Sequence, residues 1–277
     1  MTAVIFSHTL RKRISNMRLD KFLAQSSIGR RKNVRIYIKE GMVNVNGKVI
    51  TVPAKEIDEN SDIVEYDGKI VDYTEKVYYM FNKPSGCITA KKDTVNKTIF
   101  DYLDNAQMRG VFHVGRLDKD TEGLLLLTND GEFEHKLMHP QKHIEKTYCF
   151  WALGSLDDED KKRLEHGISI GKDAVLTKPA KIEIHKYGIY KDFRHEISIE
   201  NLNNINSYLN NQTVISGYLT ITEGRKHQVK RMLKAVGCHV IYLKRISIGG
   251  LLLDKSLKEG HYRPLTDLEM KLLFRNG

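Results

Sequence analysis

The chain has little cysteine, little proline and no long apolar run. Its 277 residues include three cysteines, Cys87, Cys149 and Cys238, and five prolines. The cysteines are odd in number, far apart, and form no Cys-x-x-Cys pair. That excludes a disulfide scaffold and a zinc ribbon, and it fits a reducing, cytoplasmic setting in which all three are small buried side chains. The longest apolar runs, Gly123 to Leu127 and Ile248 to Leu253, are strand-sized. A membrane-spanning helix needs roughly 18–20 such residues, so a membrane protein is disfavoured. The patch Ala3 to Phe6 has no charged segment before it and no long apolar stretch after it, so no secretory signal is expected. Several common sites are also missing: no Walker-type phosphate loop, no GxGxxG after a strand, no HExxH and no GxSxG. His135, His139 and His143 share a four-residue spacing, but Pro140 interrupts the helix that would align them. The expectation is a protein with no cofactor and no metal, working with side chains alone.

Positive charge is abundant, and unevenly spread. The formal net charge is +10. Residues 1–50 hold eleven Lys/Arg against two acids, Asp20 and Glu40, whereas residues 51–80 hold three against eight. A basic head of this kind serves a polyanion, nucleic acid before acidic lipid; the plain alternative is a solubilising surface. The hydrophobic fraction of 40% is ordinary for a globular protein, and the length fits about two domains.

The periodicity divides the chain. Residues 1–16 have no apolar face and are expected to form a disordered extension, with the protein made in the cell starting at Met17. From Met17, Leu19, Phe22 and Leu23 share a helical face. A second helix spans Arg30 to Lys39, with Val34 and Ile38 inward. Asn46-Gly47 and Asp67-Gly68 are hairpin turns, the first within Met42 to Val49, the second ending a strand Asp62 to Tyr66. Residues 17–76 thus read as a small helix–helix–β module. In residues 77–277, strands are expected at 77–81, 111–114, 123–128, 146–153, 180–185, 195–200, 214–221, 240–243 and 246–252. Asn82 to Gly86 reads as a turn. Helices are expected over 132–138, 156–165 (capped by Ser155) and 225–236, with a last one capped by Thr266 and Glu269. Strands outnumber helices and come in runs, which points to α+β with a mostly antiparallel sheet.

The segment His113 to Gly131 places a polar loop, with Arg116, Asp118, Asp120 and Thr121, directly before a wholly apolar strand. A carboxylate there is placed for covalent or acid–base work. It is equally placed to cap a turn, and the residues alone leave both readings open.

Gly115-Arg116-Leu117-Asp118-x-x-Thr121-x-Gly123-Leu124, continuing into Leu127-Thr128-Asn129-Asp130-Gly131, resembles the catalytic motif of the pseudouridine synthases, in the form carried by the RsuA/RluB/RluE/RluF branch. Phe81 to Gly86 resembles the opening motif of the branch, Glu145 to Tyr148 its Lys-x-Tyr motif, and Glu223 to Met232 its C-terminal motif. Residues 17 to about 71 resemble an S4 RNA-binding domain. Within the branch the likeness is closest to the small-subunit, RsuA type, in Met17 to Phe22, His143 to Tyr148, Leu176 to Ala180 and Lys230.

The resemblance implies an isomerase that breaks the uridine N1–C1′ bond, turns the base and rejoins it through C5, with neither redox chemistry nor energy input. It implies Asp118 as the essential carboxylate, attacking C1′ or C6 or abstracting the C2′ proton. It implies Arg116 in the space left by the flipped base, Tyr148 stacked on the uracil, and Lys230 (with Arg225 as alternative) paired to Asp118. Asp120 is read as a loop cap. Lys83 and Pro84 are read as fixing the neighbouring turn. Arg18, Lys21, Arg30, Arg31, Lys32, Arg35 and Arg225 are the candidate RNA contacts. The implied partner is ribosomal RNA, first 16S rRNA at a site of the uridine-516 type, met naked or in an assembling small subunit by a cytoplasmic monomer. The alternatives are a 23S rRNA synthase of the same branch or a non-catalytic S4-type assembly factor.

Overall fold

A computed structural model describes residues 16–26, 28–59, 61–71, 76–104, 108, 110–171, 175–197 and 209–274. The chain divides into two compact units, with the boundary between Lys76 and Val77.

In the first unit, β1 (Asn16–Arg18) leads into α1 (Leu19–Gln25) and α2 (Arg31–Lys39). Short strands follow: β2 (Val43–Val45), β3 (Lys48–Val49), β4 (Glu56–Asp58), β5 (Val64–Tyr66) and β6 (Lys69–Ile70). Four of them form a sheet in the order β3-β2-β5-β6. Both hairpin turns have φ > 0 at each central residue, 50° and 75° at Asn46-Gly47 and 49° and 73° at Asp67-Gly68. Asn, Asp and Gly tolerate that conformation best. Leu19, Phe22, Leu23, Val34 and Ile38 meet Val43, Val45, Ile57 and Val64 in one core. Met17 and Arg18 do not open the helix: they are extended and pair with Ile57 and Glu56 of β4. Helical spacing along the chain carries no sign of that long-range pairing. Of the expected extension over 1–16, residues 1–15 lie outside the described residues, and Asn16 pairs with Asp58.

The second unit contains β7 (Tyr78–Lys83), β8 (Phe112–Val114), β9 (Glu122–Thr128), α3 (Gly131–Met138), β10 (Lys146–Leu153), α4 (Asp158–His166), β11 (Lys181–Ile189), α5 (Tyr190–Phe193), β12 (Thr213–Ile221), α6 (Gln228–Ala235), β13 (His239–Ile248), β14 (Leu251–Leu252), β15 (Tyr262–Pro264) and α7 (Asp267–Leu272). The main sheet runs β11-β12-β10-β13-β9-β7-β15, with β14 on β13 and β8 on β9. Every pairing in it is antiparallel except β9 with β13. The expected α+β architecture with a mostly antiparallel sheet is what the chain adopts. All of β9 is buried. Leu125 and Leu127 enter the core beneath α6, while Leu124 and Leu126 enter the core shared with α3 and α7. A strand covered on both faces is apolar throughout, which explains the unbroken Leu run.

Several boundaries differ from the sequence reading, each for a tertiary reason. Asn82 and Lys83 belong to β7, because pairing with β9 continues through Asn82–Leu124 and Lys83–Gly123; the turn starts at Pro84. Asp157, not Ser155, caps α4, accepting from the Asp160 N–H at 2.7 Å. Residues 194–196 form a turn after α5 instead of starting a strand, and 198–200 lie outside the described residues. The two expected strands at 240–252 are one long strand plus β14, since Lys244 and Arg245 hold register with Glu122 and Gly123. The helix starts at Gln228, because His227 is left-handed (φ 53°).

Gly123 sits at that parallel pairing with φ 97°, and a Cβ there would collide with the Arg245 carbonyl oxygen. Gly123→Ala is therefore expected to destabilise the fold by at least about 1–3 kcal/mol. Thermal melting reads this as a drop of several degrees. An unchanged melting temperature would mean that β9 and β13 do not approach so closely.

Candidate active site

The loop before β9 is pinned from below. Lys83 is fully buried, and its ammonium donates to the carbonyls of Pro84 (3.1 Å), Lys119 (3.2 Å) and Thr121 (3.0 Å). Burial pushes its pKa down, offset in part by Cys87, Asp120, Glu122 and Asp118. The Thr89 hydroxyl donates to the Leu117 carbonyl (2.7 Å) and accepts from the Leu117 N–H (3.1 Å). The Gly86 N–H donates to the Lys119 carbonyl. Asp118 thus rides on a loop whose backbone is fixed on both sides, as a preorganised carboxylate must be. The reading of Lys83 as a structural clamp holds, although it clamps from a strand end.

The opposite wall is the turn before α6. Gln228, 4% exposed, accepts from the Arg225 N–H (2.8 Å) and donates to Glu223 (2.8 Å). Glu223 also accepts from the Lys178 N–H at 3.0 Å. Val229, Met232 and Leu233 anchor α6 in the core and leave its other face toward the loop. Between the walls lies an open cleft of about 430 Å³, whose lining includes Arg116, Asp118, Tyr148, Arg225, His227 and Lys230. Tyr148 is 8% exposed on β10.

Four sequence-nominated residues, Asp118, Arg116, Tyr148 and Lys230, therefore meet in one cleft. Their pairing differs from the expectation. The Lys230 ammonium makes its short contact with Asp120, at 2.5 Å, and stands 3.7 Å from Asp118. Asp120, read as a loop cap, engages its own backbone N–H and also gives its carboxylate to Lys230. Burial raises the Asp120 pKa, but the Lys230 hydrogen bond and charge outweigh it and hold the carboxyl below its ordinary value. Arg225 does not reach Asp118 as an alternative partner. It donates to the Val175 and Leu176 carbonyls (3.1 and 2.7 Å) and lies 3.4 Å from Glu223. The neighbour of Asp118 that sequence reasoning missed is His227, whose Nε2 is 3.5 Å from Asp118 Oδ1. Among the described residues, no group of three or more His, Cys, Asp or Glu is arranged to hold a metal ion.

Tyr148 shares β10 with Lys146, and Lys146 is 6% exposed. Its ammonium donates to the Ile144 carbonyl at 3.0 Å. Burial, reinforced by the charge of Arg245, pushes its pKa down to about 8. The unfolded chain, at an ordinary lysine value of about 10.4, binds more protons in between, so stability rises as pH increases from about 8 to about 10. Lys146→Met removes that contribution. The stability gap between variant and wild type, followed by urea unfolding, is expected to move in favour of wild type by about 2–3 kcal/mol across this interval. A constant gap would refute the burial of a charged lysine.

In the first unit, Arg18, Lys21, Arg30, Arg31, Lys32 and Arg35 are all exposed. Three of them converge on Asp20, which no surface motif had marked. Its side chain is 1% exposed and meets Arg18 at 3.0 Å, Arg31 at 2.9 Å and Arg35 at 3.9 Å. One signal was available: Asp20 lies three and four residues before Leu23 and Ala24, on the edge of the buried stripe.

A carboxylate on a pinned loop beside a lysine and a buried tyrosine, on a mostly antiparallel sheet, with a basic module earlier in the chain, is an arrangement suited to an enzyme acting on RNA. Residues 77–235 match the RNA pseudouridylate synthase family, and residues 17–63 match the S4 domain. The chain belongs to the RNA pseudouridylate synthase family, in the RsuA/RluB branch, and is an isomerase. It is 44% identical to the uncharacterized RNA pseudouridine synthase YtzG of Bacillus subtilis (strain 168), covering 93% of this chain and 98% of that one. It is 39% identical to ribosomal large subunit pseudouridine synthase B of the same organism, covering 92% and 95%. It is 35% identical to ribosomal small subunit pseudouridine synthase A of Haemophilus influenzae, covering 94% and 100%. A crystal structure of a pseudouridylate synthase matches with a TM-score of 0.60 at 33% identity, covering 93% of this chain and 99% of that one. No helix among the described residues is long and apolar enough to cross a membrane.

Proposed function

We propose that the protein isomerises a uridine of ribosomal RNA to pseudouridine, with 16S rRNA as the first substrate. The observation that carries the reading is the cleft that brings Asp118, Arg116, Tyr148 and Lys230 together. The target uridine leaves its stack to enter the cleft, as bases do in other base-modifying enzymes. Tyr148 holds the uracil by its aromatic face, an interaction of about 1–3 kcal/mol that every base accepts. Arg116, at the exposed rim, fills the vacated space and meets phosphate. Asp118 acts at C1′ or C6 as a nucleophile, or takes the C2′ proton. The glycosidic bond then breaks, the uracil turns, a C5–C1′ bond forms and the C5 proton leaves. Lys230 holds the Asp120 carboxyl below its ordinary value and stands 3.7 Å from Asp118, where it orients that carboxylate. The basic S4 residues contact phosphates, which hold the RNA without reading bases. The enzyme acts as a monomer in the cytoplasm, on naked rRNA or an assembling small subunit.

The 16S reading rests on the small-subunit style of Met17 to Phe22, Leu176 to Ala180 and Lys230. The 39% identity to a large-subunit enzyme favours a second reading, 23S rRNA. A non-catalytic assembly factor has no reason to retain Asp118, Tyr148 and Lys230 in one cleft. The test is incubation with unmodified 16S and 23S rRNA, naked and in precursor particles, followed by carbodiimide-stop primer extension. A new stop in 16S rRNA alone supports the first reading, one in 23S rRNA alone the second, and none in either overturns both.

A further inference from the structure

We propose that His227 is a positioning residue for Asp118, holding one carboxylate oxygen so that the other faces the reacting nucleoside. The proposal rests on the reading of Asp118 as the essential carboxylate. His227 Nε2 lies 3.5 Å from Asp118 Oδ1, while Lys230 lies 3.7 Å from Oδ2. Lys230 is drawn toward Asp120 and Arg225 is spent on two backbone carbonyls and Glu223. The imidazole is thus the cation-capable group nearest Asp118 among the described residues. An Nε2–H is a donor whether the ring is neutral in that tautomer or protonated, and at 3.5 Å it is within reach of Oδ1 without a formed hydrogen bond. Such contacts are long in a free enzyme and tighten when substrate binds.

The backbone supports the same reading. His227 has φ 53° and ψ 32°. Among the described residues, four other than glycine have positive φ. Asn46 and Asp67 sit in hairpin turns that ask for it, and both residue types accept it readily. His143 and His227 are the other two; the left-handed conformation costs a histidine more than a glycine, although histidine, like Asn and Asp, is among the residue types enriched there. The strain does not serve the core, since the His227 side chain is half exposed. Nor does the imidazole hold the turn, which Gln228 and Glu223 hold instead. Strain that surrounding contacts impose, at the point where a side chain meets a reactive carboxylate, is characteristic of functional positions. The charged groups sharing the cleft are Arg116, Arg225 and Lys230, besides Asp118.

This conformation supplies its own control. Asn and Gly both suit φ 53°, and neither carries a donor as far as the imidazole does. His227→Asn and His227→Gly in the full chain are expected to keep or raise the melting temperature. They should lower kcat about tenfold or more while leaving KM and RNA affinity within about twofold. His227→Arg, which restores N–H donors, should recover most of kcat. Retention of wild-type kcat by the Asn and Gly variants overturns the proposal. So does a loss of kcat that is accompanied by equal losses of affinity and melting temperature, or that His227→Arg fails to rescue. Asp118→Asn run beside them separates the two readings. An inactive Asp118→Asn with active His227 variants removes only the His227 role, whereas an active Asp118→Asn removes the reading of Asp118 and this proposal with it.

Discussion

Asp118→Asn is expected to reduce isomerisation by on the order of a thousandfold or more, with RNA affinity and melting temperature close to wild type. The substitution keeps volume and shape and removes only the ionised oxygen. Little of the loop depends on that oxygen. Its backbone is held by the Lys83 ammonium, the Thr89 hydroxyl and the Gly86 N–H, all of which engage main-chain atoms. The measurement is release of tritium from RNA labelled at C5 of uridine, because the C5 hydrogen leaves only when the new C5–C1′ bond forms. Retention of a tenth of wild-type release would show that Asp118 is not the essential carboxylate. A lowered melting temperature would show that the loop depends on the ion pairs of Asp118 after all.

Asp20→Asn is expected to have the largest effect on the S4 unit, destabilising it by about 2–4 kcal/mol. Burial raises the pKa of Asp20, but hydrogen bonds and charge from Arg18 and Arg31 outweigh burial and hold it below the ordinary carboxylate value. A group depressed in the folded state contributes stability above its unfolded value and loses it as pH falls through the folded one. Wild type should therefore lose stability with acid below about pH 4, and the Asn variant should lose less over the same range. The amide accepts one guanidinium at best and turns two N–H donors toward the others. Released from Asp20, Arg18, Arg31 and Arg35 become mobile, and RNA affinity falls without loss of any positive charge. Amide hydrogen exchange over residues 19–39 with RNA titrations checks both effects. Unchanged protection would show that the carboxylate is not the anchor of these arginines.

The two aspartates show how differently function is written in a sequence. Asp118 was nominated because Gly115 through Thr121 to Gly123 resembles the family's motif; the residues by themselves left a turn cap equally open. Asp20 was invisible as a hub because its partners Arg31 and Arg35 come from another helix, and an exposed basic face reads the same whether or not a buried carboxylate organises it. Lys230 lay between these cases. Helical spacing put it on the polar side of α6, and the motif put it near Asp118, but neither measured which of two carboxylates its long side chain would choose.

What the sequence determined by itself is what local periodicity, turn chemistry and short-range motifs encode. Those are the two helices and two Asn-Gly or Asp-Gly hairpins of the S4 unit, the buried strand Gly123–Thr128, and the loop that presents Asp118. Burial on both faces demands an unbroken apolar strand, and φ > 0 at a two-residue turn demands Asn, Asp or Gly, so each choice of residue already states its geometry. Only the tertiary structure decided where long-range pairing overrode those signals. Met17 and Arg18 became a strand because β4 was there to pair with, and Lys244 and Arg245 stayed in β13 because β9 held their register. His227 turned left-handed toward Asp118, and Lys230 settled on Asp120. Strand pairing and charge partnership join residues separated by 38 positions (Arg18 and Glu56) to 122 (Glu122 and Lys244), and no local pattern records which distant group will come within reach.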